Sequence, residues 1–94
     1  MANELVQALA ALDVYGRVAR QLLAFADKHG EPEPDGSVRI LIKLTQKDIA
    51  DLVGASRKRV NQVMVSFKHQ GLISVDADGR ITIHRRDGLA KYCG

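Results

Sequence analysis

The side chains of this 94-residue chain with the clearest chemical potential lie within six consecutive positions. They carry guanidinium, ammonium and carboxamide groups: Arg57, Lys58, Asn61 and Gln62. Such groups make forked or bidentate hydrogen bonds to the edges of DNA bases in the major groove. Their spacing predicts that they project together from one side of a helix.

A helix over residues 57–70 is predicted by an apolar stripe with helical spacing, formed by Val60, Val63, Met64 and Phe67. The side left outward holds Arg57, Lys58, Asn61, Gln62, Val65 and Lys68. The helix carries four Lys or Arg residues and no acidic residue. An ordinary amphipathic surface helix usually mixes both signs of charge, so this composition favours DNA reading.

The preceding residues predict the element that would position this helix. Thr45 is a candidate N-cap for a short helix over 46–53, with Asp48 at its third position as a weak capping box. A turn at Gly54 follows, and Ser56 caps the next helix, which Gly71 ends. This is a helix-turn-helix arrangement, whose second helix enters the major groove. In the short helix we expect Ile49, Leu52 and Val53 to face inward.

The N-terminal third predicts two helices. Residues 3–12 have a short apolar stripe at Leu5, Val6, Leu9 and Leu12. This helix is either docked on the domain or the end of a longer one. Asp13 is expected to cap a second helix that Gly30 ends, with its core stripe at Val14, Val18, Leu22 and Phe25 and with Ala19, Leu23 and Ala26 beside it. The predicted division is residues 1–12 as an N-terminal or dimerising helix and residues 13–94 as the DNA-binding domain.

The rest of the chain predicts a small antiparallel sheet. Residues 31–36 read as a loop because they hold two prolines and a glycine, and residues 38–44 read as a strand. Two further strands, 72–75 and 81–84, flank the hairpin signal Asp78-Gly79. Residues 85–94 are expected to form a short helix or to fray, with Cys93 mobile. The predicted fold class is α+β, a winged helix-turn-helix: a helical bundle with a small antiparallel β-sheet wing.

The wing is the hairpin formed by the predicted strands 72–75 and 81–84, and its function leaves two interpretations open. Arg80 at its base is a candidate phosphate contact. Asp76 and Asp78 argue the other way, because carboxylates at the tip of a wing repel phosphate. The wing would then serve mainly to close the sheet with the strand 38–44.

Charge and composition narrow the class of protein. The net charge is +3, but residues 1–53 carry −2 and residues 54–94 carry +5, a typical footprint of a polyanion binder. A single cysteine excludes a disulfide framework, and with only Cys93 to join them His29, His69 and His84 lack metal-ligand spacing, so no metal site is expected. Neither paired carboxylates, nor a Gly-rich phosphate loop, nor a Ser/His/Asp arrangement stands out in the sequence, so we expect no enzyme. No leader is visible and no apolar run approaches the ~18 residues of a membrane span. We expect a cytoplasmic protein that binds no membrane.

A family resemblance follows from two segments. LTQKDIADLVGASRKRVNQVMVSFKHQGLI, residues 44–73, resembles the helix-turn-helix of the Crp/Fnr family of bacterial transcription regulators. LDVYGRVARQLLAFA, residues 12–26, is similar to the first helix of that family after its hinge, and Pro34-Asp35-Gly36 before the strand also fits. The resemblance covers roughly residues 12–83.

The resemblance implies a larger protein. Family members have an N-terminal β-roll of the cyclic-nucleotide-binding type, a long dimerising helix and a C-terminal DNA-binding domain. An effector such as a cyclic nucleotide would bind the N-terminal domain, so no cofactor is expected in this one. The implied partners are double-stranded DNA, a second copy of the protein when on DNA or at full length, and RNA polymerase. In the best-known activator of the family, the polymerase touches the loop corresponding to residues 30–37.

The resemblance also implies roles for single residues. It places Thr45, Lys47 and Ser56 at phosphate-contacting positions, to which the positions of Arg59 and Arg80 add two candidates. Arg57 matches an arginine that reads guanine. Lys58 and Gln62 stand where the family commonly has glutamate and arginine, which argues against a half-site of the TGTGA type. By its chemistry Gln62 suits adenine, whereas Lys58 suits guanine or phosphate.

Two other classes of binding protein stay open. A winged helix can serve as a protein-interaction module without DNA, but this needs exposed apolar residues on the outward face, where only Val65 qualifies. A single-strand binder needs exposed aromatic rings for stacking. The chain has four Phe and Tyr residues, and Phe25 and Phe67 are expected in the core.

Overall fold

The computed structural model describes the backbone of residues 2–93 and the side chains of residues 14–93. Four helices and four strands succeed one another: α1 (Ala2–His29), β1 (Gly30–Pro32), β2 (Val38–Ile40), α2 (Gln46–Val53), α3 (Arg57–His69), β3 (Ile73–Val75), β4 (Ile81–Ile83) and α4 (Arg86–Ala90). A 3-10 turn, Lys91–Cys93, follows α4. The predicted α+β winged helix-turn-helix is confirmed.

The first helix differs from the prediction. The chain forms one continuous helix from Ala2 to His29, so position 13 lies in the helix interior and not at the start of a second helix. A single Asp lowers helix stability by less than about 0.7 kcal/mol, and no proline interrupts the segment. The predicted stripe of Leu5, Val6, Leu9 and Leu12 lies outside the described side chains. The division at residue 12 stays a prediction.

The sheet is antiparallel with the strand order β1-β2-β4-β3. Its first strand was predicted as loop, but Pro32 pairs with Val38 at the edge of the sheet, where proline is tolerated. The strand predicted over 38–44 ends at Ile40. Beyond that point β4 offers no partner, and the carbonyl of Leu41 instead accepts a hydrogen bond from Arg80 Nε at 3.0 Å. Leu41 is consequently 45% exposed.

The core joins α1, α2, α3 and the inner face of the sheet. Its largest fully buried side chains are Phe67, Leu22, Ile40, Ile49, Ile81, Ile83, Leu89, Val18, Val60 and Val63. Phe25 and Leu23 are only partly buried against this core. Leu52 was predicted to face inward but is 50% exposed. At 100° per residue it lies about 110° from the centre of the face formed by Ile49, Ala50 and Val53.

Residues 86–93, which we call the tail, pack across α1. A β-carbon at Gly16 would lie 2.6 Å from the carbonyl oxygen of Tyr92, so only glycine admits this approach. The ring of Tyr92 stacks on the ring of Tyr15, with 5.8 Å between the ring centroids, and it lies tilted against the ring of Phe67, with 5.2 Å between the centroids. Cys93, expected to be mobile, is half-buried with its Sγ 3.9 Å from the carbonyl oxygen of Gly16. Cys93 is thus packed against α1, while its expected mobility stays a prediction.

Candidate nucleic-acid interface

The start of α2 is fixed by a reciprocal cap. The backbone N–H of Asp48 donates to Thr45 Oγ1 at 3.1 Å, and the backbone N–H of Thr45 donates to Asp48 Oδ2 at 3.0 Å. The predicted capping box is therefore present. The hydrogen bond from the backbone of Thr45 lowers the pKa of Asp48 below its ordinary value. These bonds hold Thr45 at the N-terminus of α2, where an anion is favoured.

The turn between α2 and α3 also matches its prediction. Gly54 adopts the left-handed conformation, with φ +72°, and its N–H donates to the carbonyl oxygen of Ala50 at 2.9 Å. Ser56 then caps α3, its hydroxyl oxygen accepting from the backbone N–H of Arg59 at 3.1 Å. The second helix ends at His69, one residue earlier than predicted. Three local features thus define the helix-turn-helix: the capping box at Thr45, the left-handed turn at Gly54 and the N-cap at Ser56.

The two sides of α3 separate as the pattern predicts. Val60, Val63, Met64 and Phe67 are buried. The outward set is exposed to solvent: Arg57, Lys58, Asn61, Gln62, Val65 and Lys68. We call the first four residues of that set the reading face. Their exposure is what contact with a base would require, while their roles as base readers stay predictions.

Two members of the reading face have intramolecular partners. Gln46 Nε2 donates to Asn61 Oδ1 at 2.9 Å, and a guanidinium nitrogen of Arg59 donates to Gln62 Oε1 at 3.2 Å. Within residues 14–93 the side chains of Arg57 and Lys58 form neither a hydrogen bond nor an ion pair. Both cationic side chains are therefore available to an incoming ligand.

Two of the residues predicted to contact phosphate, Lys47 and Arg59, differ in their partners and in their exposure to solvent. Lys47 Nζ donates to Asp51 Oδ2 at 2.9 Å, and this bond raises the pKa of Lys47. The positive charge of Arg57 acts in the other direction and has a smaller effect on that pKa. Because both partners are 67% exposed, the pair contributes little to stability. Arg59 is half-buried, and the polar side-chain partner that it has is Gln62.

Arg80 is tied into the base of the wing. Besides its bond to Leu41, its guanidinium lies 3.6 Å from Asp78 Oδ2. Asp76 Oδ1 accepts from the backbone N–H groups of Asp78 and Arg80, each at 2.9 Å, and the bond from Arg80 is the main cause of its lowered pKa. Arg39 pairs with the other oxygen of Asp76 at 3.1 Å. Asp76 thus closes the hairpin, and a phosphate contact by Arg80 stays a prediction.

Sequence reasoning missed two residues near the interface. Gln46 orients Asn61 from the first turn of α2. Lys43 lies over Gly79 and lines a cavity of about 210 Å³ between α2, α3 and the wing, which Lys68 also lines. The signal available for Lys43 was its place two residues before the N-cap Thr45. Lys43 was assigned only to the strand 38–44, which ends before it.

Other chemistry finds little support in the part of the chain that the structure describes. Among the side chains of residues 14–93, no group of three or more His, Cys, Asp or Glu is arranged to hold a metal ion. His84 Nε2 instead lies 2.7 Å from Ser74 Oγ. Among the described helices, none combines the length and the apolarity that crossing a membrane requires.

Comparison with known proteins agrees with this geometry. Residues 16–92 match the family model described as a Crp-like helix-turn-helix domain. The chain is 48% identical over 64 residues to a CRP-like cAMP-activated global transcriptional regulator of Mycobacterium tuberculosis, covering 68% of this chain and 28% of that protein. It is 44% identical over 68 residues to the cAMP-activated global transcriptional regulator Vfr of Pseudomonas aeruginosa, covering 71% and 30% respectively.

A solved structure shows the same fold. The CO-dependent transcription factor CooA from Carboxydothermus hydrogenoformans superposes with a TM-score of 0.82 at 20% identity, over 99% of this chain and 42% of that one. The chain spans less than a third of the length of the two curated relatives. With the family model matching most of its residues, the chain belongs to the Crp-like helix-turn-helix family and is a DNA-binding domain of the type found in Crp/Fnr transcription regulators.

Proposed function

We propose that the chain binds double-stranded DNA in a sequence-specific manner by placing α3 in the major groove. The observation that carries the proposal is the reading face, whose four exposed side chains are all able to donate hydrogen bonds and lie on a helix without an acidic residue. Arg57 and Lys58 stand in the first turn of α3, the part that reaches furthest into a groove. Arg57 is proposed to read guanine through its fork of N–H donors.

Phosphate contacts are proposed to frame this face. Thr45 and Ser56 lie at the N-termini of α2 and α3, where backbone N–H groups and the helix dipole favour an anion. Lys47, Arg59 and Arg80 add positive charge around them. Arg80 would have to exchange its bond to Leu41 for a phosphate, so we rank its contribution below that of Lys47.

We further propose that the chain acts as the DNA-binding part of a dimeric, effector-controlled regulator that also touches RNA polymerase. The relatives are about three times longer than the matched segment, and two are named cAMP-activated regulators. The effector would bind outside this domain, in a cytoplasmic protein that is not an enzyme. Two copies would bind half-sites about 10–10.5 bp apart, the spacing that places two recognition helices in successive major grooves.

Selection of duplex sites from a random library tests the function. We expect a palindromic site, and we expect affinity to fall with salt at a log–log slope of about −0.9 per phosphate neutralised.

Arg57→Ala should cost about 1–3 kcal/mol of binding free energy and relax preference at one base pair. Lys47→Ala should weaken binding nearly equally on all sequences. If Arg57→Ala lowers affinity equally for every single-base variant, Arg57 is a phosphate anchor and not a base reader.

A further inference from the structure

The amide of Gln62 has a fixed orientation in this structure. A guanidinium nitrogen of Arg59 lies 3.2 Å from Gln62 Oε1. Because a guanidinium group only donates hydrogen bonds, the atom facing it must be the carbonyl oxygen and not the amide nitrogen. The two residues are three apart on α3, where side chains of one helix are neighbours.

Nothing else among the described side chains competes for this guanidinium. The salt bridges of residues 14–93 do not involve Arg59, and its only side-chain hydrogen-bond partner there is Gln62. The backbone N–H of Arg59 is held by the Ser56 cap, which fixes the start of its side chain relative to the helix. Arg59 is also half-buried, whereas Gln62 is exposed. The contact therefore leaves the amide nitrogen of Gln62 as the end that faces solvent.

This orientation changes what Gln62 recognises. A glutamine reads adenine by accepting from the N6 amino group while donating to N7. The amide oxygen keeps a second lone pair, but an adenine amino group could reach it only beside the positive charge of Arg59, which repels the donor hydrogens of that group. The free N–H groups of Gln62 match guanine, which presents two acceptors, O6 and N7, in the major groove. The expectation that Gln62 suits adenine treated the side chain as unpartnered.

Two further members of the reading face offer the same chemistry. Arg57 and Lys58 can only donate. Together with Gln62 they present donors, and the complementary surface is one rich in acceptors.

We propose that Arg59 is a positioning residue that biases Gln62 towards donating hydrogen bonds, so that the chain selects guanine over adenine at the base pair that Gln62 contacts. The proposal rests on the proposed function, because it assumes that α3 enters the major groove. It assigns Arg59 a part in specificity beyond the phosphate contact expected for it.

Binding of the 94-residue chain to a panel of single-base variants of its selected site tests the proposal. Gln62→Ala identifies the base pair, as the one at which preference disappears. At that base pair the wild-type chain should prefer guanine over adenine by about tenfold. Arg59→Met, which keeps the length of the side chain and the helix propensity, should shift that preference towards adenine and leave other positions unchanged.

Lys68→Met is the matched control, since Lys68 is an exposed cation of the same helix without contact to Gln62. It should weaken binding equally on all variants. If Arg59→Met behaves like Lys68→Met, or if the wild-type chain prefers adenine at this base pair, the proposal is overturned. A wild-type chain without any sequence preference would refute the proposed function itself, before any variant is compared.

Discussion

The reading face and the tail are held in place by contacts of very different range. On the reading face, Ser56 caps Arg59, Arg59 holds Gln62, and Gln46 reaches Asn61 across 15 positions. The tail depends on more distant partners, 22 to 77 positions away along the chain: Gln70 for Tyr92, Asp27 for Arg86 and Gly16 for Cys93. The first region is exposed and hydrogen-bonded, whereas the second is anchored by a fully buried leucine and stacked rings.

From this difference we expect recognition to depend on the reading face, while the tail contributes to stability. The tail covers α1 and the inner end of α3 without contributing to the reading face, while the reading face buries almost nothing. Substitutions in the tail should therefore change the free energy of unfolding and leave base preference alone. Substitutions around the reading face should do the reverse.

The largest effect is expected from Leu89→Ala in the tail. Leu89 is fully buried, and truncating such a leucine costs about 2–5 kcal/mol of unfolding free energy. Urea denaturation followed by far-ultraviolet circular dichroism measures this loss. The folded fraction should retain the base preferences of the wild-type chain. Altered preference in the folded variant would break the separation between the two regions.

Gly16→Val tests the contact between α1 and the tail from the other side. The new β-carbon would lie 2.6 Å from the carbonyl oxygen of Tyr92, and overpacking of this kind costs about 1–3 kcal/mol. Ala24→Val, at an exposed position of the same helix, controls for the lower helix propensity of valine. Equal thermal stability of the two variants would mean that the tail shifts away from Gly16 at no cost.

The same difference in range explains which features could be predicted from the sequence. Thr45, Gly54 and Ser56 act on groups within about four residues, so their pattern alone located both helices of the helix-turn-helix. The packing of Tyr92 against Tyr15 and Phe67 depends on three distant segments meeting. No local signal encodes such a meeting, and the tail was accordingly left between a short helix and a frayed end.

Within the candidate site the limit of prediction is different. Which residues of α3 point outward followed from the helical period, and the structure confirms their exposure. Which exposed side chains bond to each other did not follow, because rotamers decide this among several neighbours. The contact of Arg59 with Gln62 is one such choice, and it is the basis on which we propose guanine, not adenine, as the base for Gln62.

Ser56→Asp sharpens the comparison inside the reading region. Aspartate caps a helix as well as serine does, and its charge is favourable at a helix N-terminus, so stability should change by only a few tenths of a kcal/mol. The carboxylate would nevertheless face the phosphate expected beside Ser56. DNA affinity at low salt should fall about tenfold or more. Unchanged affinity would remove Ser56 from the phosphate contacts, whatever the stability.

The smallest expected effect is the loss of stability at low pH when Asp48 and Asp76 become protonated. Hydrogen bonds lower the pKa values of Asp48 and Asp76 below their ordinary value, chiefly through the backbone N–H groups of Thr45 and Arg80 respectively. A folded-state pKa below the unfolded one means that the ionised carboxylate stabilises the fold. This contribution is complete above the unfolded value and is lost as pH falls through the folded one, that is, below about pH 4. The two groups belong to the cap and the wing that flank the reading face, whereas Leu89, which anchors the tail, has no charge to lose.

Asp76→Asn isolates the part due to the wing. The asparagine oxygen can still accept from Asp78 and Arg80, but the group no longer titrates and loses its ion pair with Arg39. Urea denaturation at steps from pH 6 to pH 3 should show a shallower loss of stability than in the wild-type chain, smaller than any effect of the tail variants. Parallel curves would show that Asp76 does not contribute to acid sensitivity. If Asp76→Asn removed a pH-dependent loss of unfolding free energy as large as the loss caused by Leu89→Ala, the wing would stabilise the fold as much as the tail does. The contrast between the two regions would then fail.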